Sequence, residues 1–249
     1  MKNHNPFIGA VSAAALVASV SALLVSSEPA RASEPSVGVA PQIVNVQSRS
    51  TYSLDGLWKT IVDPYENGYY DYRRMPLKDE SSYFADKDFN ADRTKLYEYN
   101  FNTDRTLLVP GDWNTQRDEL YYYEGTVWYR NRFRYSPKEG RRTFLYFGAA
   151  NYEAIVGLNG KKLGRHVGGF TPFNFEVTGK LLDGENSLVV KVDNKRLPEG
   201  VPTINSDWWN YGGLTRSVMI VETPMTFIRD YSLGLSGGSF KEASGWIQL

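Results

Sequence analysis

Cysteine is absent from the chain, which excludes a disulfide framework, a thiolate metal site, a lipid-modified cysteine and a cysteine nucleophile. Stability must come from a packed core. Histidine is nearly absent. Only His4 and His166 occur, too few for a multi-histidine metal site, and His166 alone is no basis for a catalytic triad. An excess of charge of either sign is lacking too. Lys plus Arg and Asp plus Glu both number 28, so no long-range field exists to gather nucleic acid or acidic lipid, and both are set aside as partners. Nowhere does a helical period run on for more than about two turns, and no apolar run reaches the roughly 20 residues a membrane-spanning helix needs. The longest, around residues 13–25, is preceded by Ser12 and broken by Ser19 and Ser21.

The N-terminus carries a recognisable signal instead. Lys2 and His4 lie in a short polar start, the apolar run follows, and Ala30-Arg31-Ala32 forms a small-x-small cleavage site, so residues 1–32 read as a signal peptide. Cleavage after Ala32 removes Lys2, Arg31 and Glu28 and shifts the formal net charge only from 0 to −1. The expected location is periplasmic or extracellular, with no membrane association after cleavage. Residues 33–50, rich in Ser, Pro, Val and Gln, read as a tether.

From Tyr52 onward, short apolar runs alternate with Gly, Pro, Asn and Asp at intervals of about ten residues, the spacing of a β-sandwich or barrel. In residues 188–193, Leu188, Val190 and Val192 fall on one face, while Lys191 and Asp193 fall on the other, as in a half-buried strand. In residues 128–135, Arg130, Arg132 and Arg134 share a face with Trp128 and are expected to be solvated; Tyr129, Phe133 and Tyr135 share the opposite face. Asn159-Gly160 between apolar stretches predicts a tight hairpin. Residues 143–147, 173–177 and 217–221 supply further strands, so the fold class is all-β and antiparallel. Residues 66–105 mix charges with aromatics without alternation and read as a long, partly ordered insertion. Residues 223–249 read as a hairpin broken off inside a second domain, since two strands alone are not independently stable.

One loop carries chemistry. Across residues 207–213, Trp208, Trp209 and Tyr211 flank Asp207 and Asn210, combining flat apolar faces that can cover the C–H face of a sugar with acceptors for its hydroxyls. The alternative is that the rings plug the sandwich and Asp207 caps a turn. Gly168-Gly169 before Phe170-Thr171-Pro172-Phe173 predicts a tight turn delivering both phenylalanine rings to the core, with His166 beside it bonded to backbone.

These segments, taken in order, resemble the N-terminal domain of family 2 glycoside hydrolases, the β-galactosidases, β-glucuronidases and β-mannosidases. The matching stretches are Leu54-Asp55-Gly56-Leu57-Trp58, Val109-Pro110-Gly111-Asp112-Trp113-Asn114, Tyr123-Glu124-Gly125, Trp128-Tyr129-Arg130 and Leu158-Asn159-Gly160. They continue with Gly168-Gly169-Phe170-Thr171-Pro172-Phe173, Val192-Asp193-Asn194, and residues 207–216 from Asp207-Trp208-Trp209 to Thr215-Arg216. The resemblance implies a jelly-roll (galactose-binding-like) sandwich over residues 51–222, then the truncated start of an immunoglobulin-like sandwich at 223–249, with a catalytic (β/α)8 barrel beyond. It implies a retaining exo-β-glycosidase acting on a terminal β-linked sugar, with the Asp207 position contacting that sugar's hydroxyls and the Arg216 position structural or supporting the loop; with the composition of the loop, Asp207, Trp208, Asn210 and Tyr211 are taken as the substrate-binding residues. The loop is closest in pattern to the β-glucuronidase branch. Retaining members use two glutamates roughly 5 Å apart in the barrel; Glu124, Glu153, Glu176, Glu185, Glu199 and Glu222 lie in strands or turns outside that context, so no catalytic residue is assigned to this chain, and no cofactor is implied. The full-length enzyme could be a homo-oligomer. Two other classes compete: a free-standing carbohydrate-binding module, and a sandwich with no ligand, which leaves the Asp207 loop unexplained.

Overall fold

A computed structural model describes residues 42–87, 99–102, 105–235 and 243–249; residues 1–32, read as a signal peptide, and residues 33–41, read as part of the tether, lie outside them. Two antiparallel sheets face each other. The smaller takes the order β1 (Ser50–Ser53), β10 (Val218–Pro224), β5 (Arg141–Phe147), β8 (Phe173–Glu176). The larger takes the order β3 (Thr106–Val109), β2 (Gly56–Val62), β4 (Thr126–Tyr135), β9 (Gly184–Asp193), β6 (Glu153–Leu158), β7 (Lys161–Val167). The expected strands are all present, and the hairpin between β6 and β7 turns on Asn159 at φ 51° and Gly160 at φ 77°, the mirror-image geometry that matches strand twist. Other neighbours, such as β1 with β10, β10 with β5 and β4 with β9, come from distant parts of the chain, as in a jelly-roll sandwich.

Between the sheets lies the main core. Leu145, Phe147, Phe173, Val218 and Ile220 from the small sheet meet Trp58, Tyr129, Phe133, Val156, Leu188, Val190 and Val192 from the large one. Phe173 sits between Phe147, stacked at 4.7 Å, and His166, stacked at 4.1 Å. The His166 ring bonds to the Gly168 carbonyl at 3.2 Å. Phe170 does not join Phe173 in the core: it is 59% exposed, because the turn at Gly168 directs it outward while its carbonyl accepts from Arg216 at 3.2 Å.

The other face of the large sheet is covered as well, which corrects two expectations. Ile61, Trp128, Ile155 and Val189, one from each of the four central strands β2, β4, β6 and β9, pack against Tyr69, Phe84 and Phe101 of the insertion. The arginine row is therefore not solvated as a whole. Arg130 is buried beneath the insertion, bonded to Asp86 at 2.9 Å and Asn102 at 2.8 Å, and Arg132 reaches the same Asp86 at 2.8 Å. Lys191 likewise is buried rather than facing solvent. Irregular as it is in sequence, the insertion is a lid over the sheet where described. Residues 42–49, expected in the tether, also pack onto the domain: Ile43 is fully buried with Val46, Phe144, Val221 and Phe227, and its N–H donates to Asn174 at 2.9 Å.

Beyond the sandwich, β11 (Asp230–Leu235) pairs with β12 (Ala243–Gln248) as the expected hairpin. Leu233, Leu235, Trp246 and Ile247 on it are exposed. Among the described residues no helix is long and apolar enough to cross a membrane.

The lid is fastened by charge. Glu66, buried at the start of the insertion, pairs with Lys191 at 3.0 Å, Lys195 at 3.1 Å and Arg74. Burial pushes its carboxyl up, but the charge of Lys191 and the hydrogen bonds from Lys191, Arg74 and Lys195 outweigh this and bring its pKa from 4.5 down to about 2. A carboxyl more acidic folded than unfolded stabilises the fold fully above the unfolded value, and that contribution is lost as pH falls from 4.5 towards 2. Glu66→Gln is expected to remove on the order of 3 kcal/mol at neutral pH. Denaturant titrations of both proteins at pH 7, 4 and 2.5 check this: the gap between them should narrow as the pH drops. A gap that is constant with pH would assign Glu66 no electrostatic role.

Candidate functional site

Three connections meet at one end of the sandwich: residues 110–125 leading into β4, residues 148–152 between β5 and β6, and residues 194–217 between β9 and β10. Four buried asparagines bind them together. Asn194, directly after β9, donates from Nδ2 to the Asn210 carbonyl at 2.8 Å and accepts the Gly125 N–H at 2.8 Å. Asn114 accepts the Gly212 N–H at 2.9 Å and donates to the Leu120 carbonyl at 3.0 Å. Asn151 donates to the Tyr211 carbonyl and, at 3.1 Å, to Asn210 Oδ1. Asn210 in turn donates to the Asn194 carbonyl. Buried loops must pair their backbone groups with something, and here side-chain amides do so.

Close approach at this end depends on two glycines. A Cβ on Gly212 would stand 2.0 Å from the buried Trp113 ring, and one on Gly213, at φ 136°, would stand 2.8 Å from the Gly111 carbonyl. Trp113, not Trp208 or Trp209, is the ring that plugs the sandwich.

The predicted site residues separate into two groups. Asn210 turns inward, 4% exposed, with both ends of its amide engaged by protein; it holds the loop. Asp207, Trp208 and Tyr211 face outward, Trp208 at 65% and Tyr211 at 47% exposure. Asp207 caps nothing: its carboxylate has no hydrogen-bond or ion-pair partner among the described residues, and the neighbouring Trp208 N–H is taken by Ser206 Oγ at 3.2 Å. Arg216 reaches the Phe170 carbonyl and not the Asp207 loop.

Sequence reasoning missed part of this surface. Trp209 packs against Tyr121 at 4.9 Å and Tyr122 at 5.6 Å, and lies 6.1 Å from Tyr211, so four partly exposed rings from two loops adjoin one another. The run Tyr121-Tyr122-Tyr123 was the available signal. Arg196 was missed as well, and it donates to Glu124 and to the carbonyls of Ser206 and Trp208.

Acid–base chemistry has little footing here. Glu124, Glu153, Glu176 and Glu222 are each paired with a cation. The glutamates whose titration is displaced, Glu66, Glu119, Glu176 and Glu222, are all displaced downward, whereas a general acid at neutral pH needs its carboxyl raised. Among the described residues no group of three or more His, Cys, Asp and Glu side chains is placed to share a metal ion. The loop that carries the unpartnered Asp207 carboxylate also presents exposed aromatic rings, and it is bonded from beneath by Asn194 and Arg196.

Comparison with known proteins agrees with this architecture. Residues 52–224 match the family described as glycosyl hydrolases family 2, sugar binding domain. The β-glucuronidase of Felis catus is 29% identical over 216 residues, covering 76% of this chain and 31% of the cat protein. A β-glucuronidase from an uncultured Clostridium superimposes with a TM-score of 0.63 at 29% identity, covering 81% of this chain and 34% of that one. The β-glucuronidase of Bifidobacterium dentium, complexed with coumarin-3-O-glucuronide, gives 0.59 at 29% identity, with 76% and 32% covered. The chain thus spans about a third of the length of these relatives. On this evidence the chain belongs to glycosyl hydrolase family 2, whose sugar-binding domain it carries.

Proposed function

We propose that this domain shapes the terminal-sugar subsite of a retaining exo-β-glycosidase of the β-glucuronidase type, with Asp207 accepting sugar hydroxyls and Trp208 and Tyr211 flanking the ring. The observation that carries the reading is the unpartnered, exposed Asp207 carboxylate, on the same loop as the exposed Trp208 and Tyr211, with that loop clamped by Asn194 and Arg196. A carboxylate left without a cation keeps its accepting capacity for a ligand, and such charge-assisted bonds orient a polyhydroxylated ring. Asn210 serves by holding the loop. The bond-breaking step belongs to a glutamate pair on the barrel that the family pattern implies, so the 249-residue chain alone is expected to be silent on chromogenic β-glucuronide, β-galactoside and β-mannoside. Turnover that is lost on mutating one of its own carboxylates would overturn that assignment.

Two further readings accompany this one. Residues 223–249 are taken as the first strands of an immunoglobulin-like sandwich, which accounts for the apolar side chains exposed on the β11–β12 hairpin. Export is taken from the signal-peptide pattern of residues 1–32, and N-terminal sequencing should find Ser33 first; an intact Met1 in a membrane fraction would refute it.

Asp207→Asn tests the sugar contact in the complete protein. It keeps the shape and one acceptor while discarding the charge, so kcat/KM should fall roughly ten- to a hundred-fold, the equivalent of about 1.5–3 kcal/mol. The melting temperature should hardly move, since no structural bond is lost. Normal turnover with a Tm several degrees lower would make Asp207 a structural residue.

A further inference from the structure

An exposed carboxylate on a loop binds a ligand well only if the backbone that carries it is already ordered, because loop ordering on binding costs affinity. The geometry around Asp207 supplies such ordering. Arg196 Nη1 donates to the Ser206 carbonyl at 2.9 Å, Nη2 to the Trp208 carbonyl at 2.8 Å, and Nε to Glu124 Oε1 at 2.8 Å. The two carbonyls belong to the residues on either side of Asp207. Together with the bond from the Trp208 N–H to Ser206 Oγ, they fix three successive peptide planes: 206–207, 207–208 and 208–209. Asp207 hangs from the first two.

The clamp is rooted at both ends. Arg196 stands two residues beyond Asn194, and Glu124 stands one residue before Gly125, whose N–H and carbonyl are both bonded to Asn194 at 2.8 and 3.2 Å. Arg196 is half-buried, and its bond to the Ser206 carbonyl is the more enclosed of its three. Its fork uses three directions at once, which a lysine ammonium on a single flexible stem does not reproduce. We infer that Arg196, oriented by Glu124, is the positioning residue that aims the Asp207 carboxylate at a bound sugar; this rests on the sugar-contact reading above.

The test uses the complete protein and the chromogenic glycoside it turns over fastest, with Arg196→Ala and Arg196→Lys, each alone and combined with Asp207→Asn. Amide hydrogen exchange over residues 203–209 should quicken at least about ten-fold in both Arg196 variants, while exchange in β9 stays unchanged. Each Arg196 variant should lower kcat/KM roughly ten-fold, and adding Asp207→Asn should then cost less than about three-fold, against ten-fold or more in the parent. Losses that simply multiply would overturn the positioning role, as would unaltered exchange in the loop. Arg196→Lys restoring both readouts would overturn it too, since charge alone would then suffice. An Asp207→Asn single variant with unchanged kcat/KM overturns the sugar-contact reading and the positioning role together. A full Asp207→Asn effect with multiplicative double variants overturns the positioning role alone.

Discussion

The amide of Asn194 is the constraint on which the end of the sandwich carrying the Asp207 loop depends. It is fully buried where β9 ends, and its two functional ends point to different loops, one to Gly125 and the other to Asn210. Neither loop can satisfy those backbone groups from its own sequence. A buried polar group left without a partner costs about 1–3 kcal/mol; Asn194, Asn151 and Asn210 bond to one another or to one another's backbone, and Asn114 bonds to the backbone of Gly212 and Leu120, so these amides supply partners for the loop groups buried here. The sheets would form from their apolar alternation in any case. The relative placement of the loops is a polar problem, solved by neutral side chains that can be buried without a counter-charge.

The four residues after Val192 distribute this control. Asp193 accepts from Thr126 Oγ1 and pairs with Lys195; Asn194 ties two loops; Lys195 reaches Glu66 of the insertion; Arg196 reaches Glu124 and the carbonyls flanking Asp207. One short stretch leaving one strand therefore connects the lid on the outer sheet face to the loop carrying the free carboxylate. That explains why Lys191 and Glu66 are tolerated in the interior. Each is paired through several bonds, and their pairing anchors the segment on which the loop rests.

Much of the fold was legible because β-strands announce themselves locally. The period of two in residues 128–135 and 188–193 placed Tyr129, Phe133, Leu188, Val190 and Val192 correctly towards the core, and Asn159-Gly160 placed a hairpin. What alternation cannot show is what covers the opposite face. Arg130 and Lys191 read as solvent-facing because the chain that buries them, around Glu66, Phe84 and Asp86, is distant in sequence and has no period of its own. Phe170 read as core for the complementary reason: a turn's apolar residues do not declare which of them the turn sends inward. The Asp207 loop stood out by composition, and its outward-facing rings are where a ligand could use them. The inward turn of Asn210 was invisible, because an amide looks the same in a sequence whether it bonds to a sugar or to a neighbouring strand.

That division between amides and carboxylates bears directly on recognition. In the buried part of this end, the groups that organise the loops are neutral asparagines. The charged acceptors nearby, Glu124 and Asp193, are each matched to a cation. Asp207 departs from this pattern. It sits in water, beside rings that are themselves exposed, with no cation drawn to it among the described residues. Leaving a surface carboxylate unpaired costs a fold almost nothing, because surface pairs contribute little to begin with. Holding its backbone rigid with an arginine, a serine and an asparagine network is a different matter, because ordering a loop costs conformational entropy that stability alone does not recover. On the proposed reading, a loop braced by these bonds and carrying an unspent charge is completed by a ligand whose hydroxyls fill the bonds that the protein leaves open.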